Sequence, residues 1–209
     1  MTPVTRDADG VVTGNTYDKQ ATTNPVARRL VARFEASLDE LLARAEPQSL
    51  LDVGCGEGVV TRRWAARLPG RPVVGVDLQD PALRAAWEAG AAPPNLRFDV
   101  MRAEALAFED AAFDLVCGIE VLEHLRDPER ALAEMTRVAS RWLLVSVPRE
   151  PLWRALNVAR GAYLRHLGDT PGHVNHWSRR AFTALLARHG EVVETRAPLP
   201  WTMALVRAP

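Results

Sequence analysis

Short apolar runs alternate with stretches of helical periodicity along most of this chain, and that alternation predicts a sheet covered by helices. Ser49 to Val53, Pro72 to Val76, Leu96 to Val100, Phe113 to Gly118, Trp142 to Val147, Val192 to Thr195 and Trp201 to Val206 read as strands. Between the first five, helices are predicted over Val59 to Arg67, Pro81 to Ala89 and Glu120 to Ala139, with only a weak turn near Glu104. Strands and helices in strict alternation imply a parallel sheet with right-handed crossovers, a doubly wound α/β architecture. Only Pro198-Leu199-Pro200 separates the last two strands. That link is too short for a crossover, so the seven-stranded, mostly parallel sheet ends in an antiparallel hairpin.

Two further helical patterns flank this core. Asn24-Pro25 opens a helix through Arg44, with Leu30, Phe34, Leu38, Leu41 and Leu42 on one face. Ser178 is the expected N-cap of a later helix, with Gly190 as its stop. Between Pro148 and Gly168, an apolar stripe of Leu152, Trp153, Leu156, Ala159, Tyr163, Leu164 and Leu167 predicts an amphipathic helix, with Arg154, Arg160 and Arg165 as its cationic positions. It reads either as a cover over the sheet or as a surface that meets an apolar substrate or a membrane. The expected organisation is a flexible segment over 1–20 and one domain over 21–209, with a helical insert at about 148–178.

Composition narrows the class. The chain has 209 residues, 47% of them hydrophobic, enough for one large domain to bury a core without metal or disulfide staples. Its 26 basic and 26 acidic residues cancel, which gives no electrostatic reason to expect a nucleic-acid partner. Cys55 and Cys117 lack C-x-x-C spacing and read as reduced residues. Met1 to Gly14 lacks the basic and apolar zones of a secretion signal, and no apolar run approaches the roughly 20 residues that span a bilayer. These features lead us to expect a cytoplasmic protein, monomeric or homodimeric.

The chemistry concentrates where the first strand ends. Leu50-Leu51-Asp52-Val53-Gly54-Cys55-Gly56-Glu57-Gly58 runs an apolar strand into three alternating glycines. Glycines there allow positive φ and close approach of a ligand to the main chain, at the edge of the sheet where α/β proteins bind ligands. A dinucleotide fingerprint, G-x-G-x-x-G, needs a third glycine where this chain has Val59. Asp52 and Glu57 would also repel a pyrophosphate. The strand at Pro72 to Val76 leads into Asp77, about twenty residues beyond the loop, where a carboxylate can accept from both hydroxyls of a ribose. The same residue can instead be a turn or N-cap ahead of Pro81.

The D-x-G-x-G-x-G run at 52–58 resembles the first motif of the class I S-adenosylmethionine-dependent methyltransferases. The segment Phe113-Asp114-Leu115-Val116-Cys117-Gly118-Ile119-Glu120-Val121-Leu122-Glu123-His124 is similar to one found in the ubiquinone and menaquinone biosynthesis methyltransferases. The resemblance implies a Rossmann-like fold and S-adenosylmethionine as cofactor. Asp52, Gly54, Cys55, Gly56 and Gly58 would form its loop, Asp77 would hold the ribose, and Leu78 would cover the adenine. Gly118, Ile119 and Glu120 would line the methionine end. Relatives carry a Gly-Asp-Ala-Glu-like turn that meets the adenine; here Met101, Arg102, Ala103 and Glu104 stand at that place. Arg102 cannot accept a hydrogen bond, which leaves the backbone of Ala103 and the carboxylate of Glu104. Tyr17 is placed to fold over the cofactor as N-terminal segments of relatives do.

Methyl transfer is mostly a matter of alignment, and it needs a base only when the acceptor carries a proton. Histidine suits that role. His173 and His176 lie in a loop beside the predicted insert and His124 follows the fourth strand, so these three are the candidate catalytic residues, whereas His189 at a helix end reads as structural. On a continuous helix Glu120, Glu123 and His124 would share a face. The resemblance makes a divalent cation conceivable there, yet one helix offers only three ligands and no metal is expected. The reading is transfer of methyl to oxygen or carbon of a small or lipid-like acceptor, with peripheral membrane contact possible. A non-catalytic S-adenosylmethionine-binding or membrane-docking protein is the alternative, ahead of a nicotinamide-dependent oxidoreductase.

Overall fold

The computed structural model describes residues 24–89 and 92–209, with the backbone of 5–6 and 12–13. The expectations for Tyr17 and for a flexible segment over 1–20 lie outside the described residues, apart from two short strands, β1 (Thr5–Arg6) and β2 (Val12–Thr13), that pair antiparallel.

Seven strands form the main sheet: β3 (Leu50–Val53), β4 (Val73–Asp77), β5 (Leu96–Val100), β6 (Phe113–Ile119), β7 (Ala139–Pro148), β8 (Glu191–Arg196) and β9 (Trp201–Arg207). Their order is β5-β4-β3-β6-β7-β9-β8, with β9 antiparallel to both of its neighbours. The expected α/β doubly wound sheet with an antiparallel C-terminal hairpin is therefore present. The chain leaves β3 toward β4 on one side, while β6 lies on the other. A crevice opens beyond the carboxyl ends of β3 and β6 at this reversal of strand order.

Helices cover both faces. On one, α1 (Pro25–Ala45) and α2 (Val59–Arg67) pack Phe34, Leu38, Leu41 and Trp64 against Leu50, Leu115 and Leu144. Asn24 caps α1 by accepting from Val26 and Ala27 N–H, and Pro25 needs no donor at the first helical position. Beside α2 lies α3 (Pro81–Ala89), whose Ala86 and Trp87 carbonyls accept from Arg62, while on the other face lie α4 (Pro128–Val138) and, after the insert, α6 (Arg179–Leu186). There Leu132, Met135, Phe182 and Leu186 cover Val116, Leu143 and Val145. Ser178 caps α6 as expected, its hydroxyl accepting from Ala181 N–H.

Two expected helices are shorter than their apolar patterns. The helix predicted over Glu120 to Ala139 is a 3-10 turn at Leu122–His124 followed by α4. Pro128 disfavours helical backbone at Asp127, which becomes the N-cap of α4 and accepts from Arg130 N–H. Glu120 has φ 62° and lies outside any helix, so Glu120, Glu123 and His124 do not share a helical face. In the insert, α5 (Leu152–Ala159) stops short of the predicted Gly168 end, because Gly161 and Tyr163 take positive φ. Its stripe divides accordingly. Trp153 packs against the core, whereas Leu164 and Leu167, in and just after a 3-10 turn, are 57% and 79% exposed.

Candidate functional site

The crevice beyond β3 and β6 is a cavity of about 660 Å³. Its floor is the loop from Asp52 through Glu57, one wall is α1, and the opposite wall is the insert. Gly54, Cys55, Gly56, Asp77, Leu78, Ala103, Glu104, Ile119 and Glu120 all line it, as do Met101 and Arg102.

The glycine loop is held by its neighbours. Gly54 and Cys55 N–H both donate to the carbonyl of Val76, tying the loop to β4. All three glycines have positive φ, at 73°, 53° and 78° for Gly54, Gly56 and Gly58. A side chain on Gly54 would meet Val121 at 2.4 Å, and one on Gly58 would meet Phe98 at 2.4 Å. These two positions are glycine because of the protein's own packing and backbone, and Gly58 does not line the cavity. The loop face open to the cavity is carried by Gly54, Cys55 and Gly56. Gly118 also stands back from the cavity, its bare Cα leaving room for Met135.

Asp77 ends β4 with both carboxylate oxygens oriented. Oδ2 accepts from Gly56 N–H at 2.7 Å and Oδ1 from Leu78 N–H at 2.7 Å. Each oxygen keeps a further lone pair for a ligand. Burial pushes the carboxyl above its ordinary range, against the two backbone donors, which pull it down. Asp52 lies deeper, and its Oδ2 accepts from the Thr61 hydroxyl at 2.6 Å. Burial drives its carboxyl up to about 7, only partly offset by Thr61. The thiols of Cys55 and Cys117 are likewise pushed well above their usual range by burial, which makes both poor nucleophiles. Neither is in a disulfide.

Across the cavity, Glu120 Oε1 accepts from Ser146 Oγ at 3.0 Å. His124 Nδ1 lies 3.0 Å from the Gly172 carbonyl oxygen, and its ring meets that of His173 edge-on, with centroids 5.0 Å apart. Both histidines line the cavity. His176 does not. It sits at the surface, with Nε2 2.8 Å from Asp169 Oδ1 and 2.9 Å from Arg154 Nη2, and ties α5 to the following loop. Of the three candidate bases, the structure brings His124 and His173 to the site and leaves His176 outside. Side-chain donor atoms of Glu123, His124 and His173 come within 4.8 Å of one another, a different trio from the helical one expected.

Sequence reasoning placed Trp153 in a stripe that could meet an apolar substrate, but it missed the aromatic partners that join Trp153 in the cavity. Phe34 and Trp201 rings lie 4.6 Å apart, Trp201 and Trp153 5.8 Å, and Trp153 and His173 6.0 Å, forming a continuous aromatic wall. Its parts come from α1, β9 and the insert, so no local motif announces them. Trp153 is fixed by its indole N–H to Thr170 Oγ1 at 2.8 Å, and Asn157 Nδ2 donates to the same hydroxyl and to Gly168 O.

Residues 51–141 match a family described as a methyltransferase domain. The chain is 36% identical over 126 residues to a ubiquinone biosynthesis O-methyltransferase of Albidiferax ferrireducens, covering 57% of this chain and 49% of that protein. It is 34% identical over 131 residues to ajmaline N-methyltransferase of Rauvolfia serpentina, covering 56% of this chain and 45% of that protein. The chain thus spans about half the length of these curated relatives. Magnesium protoporphyrin IX methyltransferase of Synechocystis, solved with bound SAH, shares the fold at a TM-score of 0.65 and 18% identity, with 91% of this chain and 90% of that one covered. With the glycine loop, the Asp77 tip and the sheet order, these likenesses support a class I S-adenosylmethionine-dependent methyltransferase.

Proposed function

We propose that this chain transfers the methyl group of S-adenosylmethionine to oxygen or carbon of a small or lipid-like acceptor, from a single domain over 21–209. The observation that carries the reading is the Asp77 carboxylate, oriented by two backbone N–H groups at the rim of the cavity and set to accept from a ribose. The donor set fits this cofactor. Carboxylates at Asp52, Asp77 and Glu120 suit a ligand with hydroxyls, an ammonium group and a positively charged sulfur, and they would repel a pyrophosphate. Leu78 and Met101 offer apolar cover to a flat ring, with Ala103 and Glu104 beside them.

When bound, the cofactor supplies a methyl group already activated for displacement. The chain's own work is alignment, exclusion of water and, for a hydroxyl acceptor, removal of a proton. A carbonyl oxygen only accepts, so His124 Nδ1 carries the proton toward Gly172, which makes Nε2, 4.0 Å from Glu123 Oε1, the atom that would take a proton from an acceptor. That makes His124 the base of choice, with His173 beside it to position the acceptor. The aromatic wall of Phe34, Trp153 and Trp201 offers apolar contact to that acceptor. Exposed Leu164 and Leu167, next to Arg165, support delivery of a lipid-like acceptor at a membrane surface. No helix among the described residues is long and apolar enough to cross a membrane. Unbridged Cys55 and Cys117 accord with a cytoplasmic setting.

The test is a thermal-shift series with S-adenosylmethionine, S-adenosylhomocysteine and NAD. A ligand at about 100 times its Kd adds about 2.7 kcal/mol to the native state, which raises the melting temperature of a chain this long by roughly 5–10 °C. The two adenosyl ligands should give that rise and NAD none; stabilisation by NAD alone would overturn the proposal.

A further inference from the structure

We infer that Trp87 is a positioning residue for the cofactor site, acting from behind the glycine loop through the Gly56 peptide; this rests on the function proposed above. Gly56 has φ 53°, and glycine crosses readily between backbone basins, so its peptide groups take one orientation only if something outside the loop holds them. Two side chains from outside the loop do so, besides the long contact of the adjacent Cys55 thiol to Gly56 O at 3.7 Å. Asp77 Oδ2 accepts from Gly56 N–H at 2.7 Å, and Trp87 Nε1–H donates to Gly56 O at 2.8 Å. Gly56 is thus fixed at both its N–H and its carbonyl, by β4 on one side and α3 on the other.

Trp87 is itself braced. Its ring stacks on Phe98 with centroids 5.2 Å apart and planes 8° from parallel. Phe98 occupies the space left bare by Gly58 and Gly75, where a Cβ would stand 2.4 Å and 2.7 Å from its ring. The Arg62 guanidinium lies 5.0 Å from the Phe98 centroid, and its Nη2 donates to the carbonyls of Ala86 and Trp87 in the last turn of α3. Residues of α2, α3, β4 and β5 therefore converge on one point beneath the loop.

The consequence concerns Asp77. Its carboxylate faces the cavity in an orientation set partly by Gly56 N–H, and that N–H is aimed by a residue whose carbonyl Trp87 anchors. Removing the indole N–H would free Gly56 to rotate and would loosen the acceptor that the ribose meets, while the aromatic stack remained. A purely packing role for Trp87 predicts the opposite pattern: lower stability and unaltered affinity.

Trp87→Phe separates the two, because it keeps a ring on Phe98 and removes only the donor. Titration calorimetry with S-adenosylhomocysteine should show about tenfold weaker binding, the usual scale of one lost hydrogen bond. The ligand-free melting temperature should stay within about 2 °C of wild type, and any methyl transfer should show a raised KM for the cofactor with unchanged kcat. Equal affinity in the two proteins, or a loss of stability without a loss of affinity, overturns the role of Trp87 and leaves the proposed function standing. Failure of the wild type to bind S-adenosylhomocysteine overturns that function and this inference together. Should Trp87→Phe not fold, the wild-type indole N–H resonance of Trp87 decides: it should shift on saturation with S-adenosylhomocysteine, and an unmoved resonance overturns the inference.

Discussion

His124 Nδ1 faces the carbonyl oxygen of Gly172 at 3.0 Å, a contact that fixes the tautomer of a ring lining the cavity. If His124 removes a proton from a hydroxyl acceptor, His124→Gln should lower kcat by about 10²-fold or more and leave cofactor affinity unchanged. His176→Gln, altered outside the cavity, should keep kcat within a few-fold. Steady-state kinetics with isothermal titration checks both, and equal losses in the two variants would contradict the assignment.

Asp52 couples the site to pH. Burial pushes its folded carboxyl up to about 7, above the ordinary aspartate value of 3.8, so between those values the folded state holds a proton that the unfolded chain has released. Stability from this group is therefore greatest below about 4, falls as pH rises through the interval and levels off above 7. Asp52→Asn should flatten that fall and raise the melting temperature at pH 8 relative to wild type. A positively charged ligand favours the ionised carboxylate, so S-adenosylmethionine should bind wild type more tightly at pH 8 than at pH 6, and this dependence should shrink in Asp52→Asn. Calorimetric titrations at the two pH values measure it.

Glu134 and Arg137 lock the segment after β5 onto α4. Arg137 donates to the carbonyls of Leu106 and Phe108 and to Glu134, while Glu134 Oε2 accepts from Leu106 N–H. The Arg137 guanidinium holds the Glu134 carboxyl down near 2, well below its usual value. A depressed carboxyl stabilises the fold above the unfolded pKa, and that contribution fades as pH falls toward 2. Glu134→Gln should lower the melting temperature at pH 7 by about 2–4 °C and have less effect at pH 3. Since Met101 to Glu104 lead into this segment, cofactor affinity should fall as well. Thermal melts at the two pH values test the sign.

Gly58→Ala should destabilise the ligand-free protein by about 1–3 kcal/mol, through a strained φ of 78° and contact with Phe98. Chemical denaturation without ligand measures this. Ligand-free stability equal to wild type would contradict this packing role for Gly58.

Local pattern made much of the fold legible. Val59–Arg67 and Pro81–Ala89 fall where apolar periodicity put helices, and Val73–Asp77 within a residue of where a β-branched run put a strand. What escaped had both local and non-local causes. Pro128 split the helix expected from Glu120 onward, which changed where Glu120 and His124 point. Positive φ at Tyr163 ended the insert's helix early. The motif located the loop and Asp77, yet it did not reveal that the bare Cα atoms of Gly54 and Gly58 also make room for Val121 and Phe98, far away in sequence. The aromatic wall was invisible for the same reason, being assembled from residues as distant as Phe34 and Trp201.

The most direct test of the account is calorimetric titration of S-adenosylhomocysteine into wild type and Asp77→Ala. The wild type should bind one equivalent, and Asp77→Ala at least about tenfold more weakly, having lost acceptors for two hydroxyls and the anchor of Gly56 N–H. No binding to the wild type, or equal binding to both, would contradict the claim that this carboxylate seats an adenosyl cofactor.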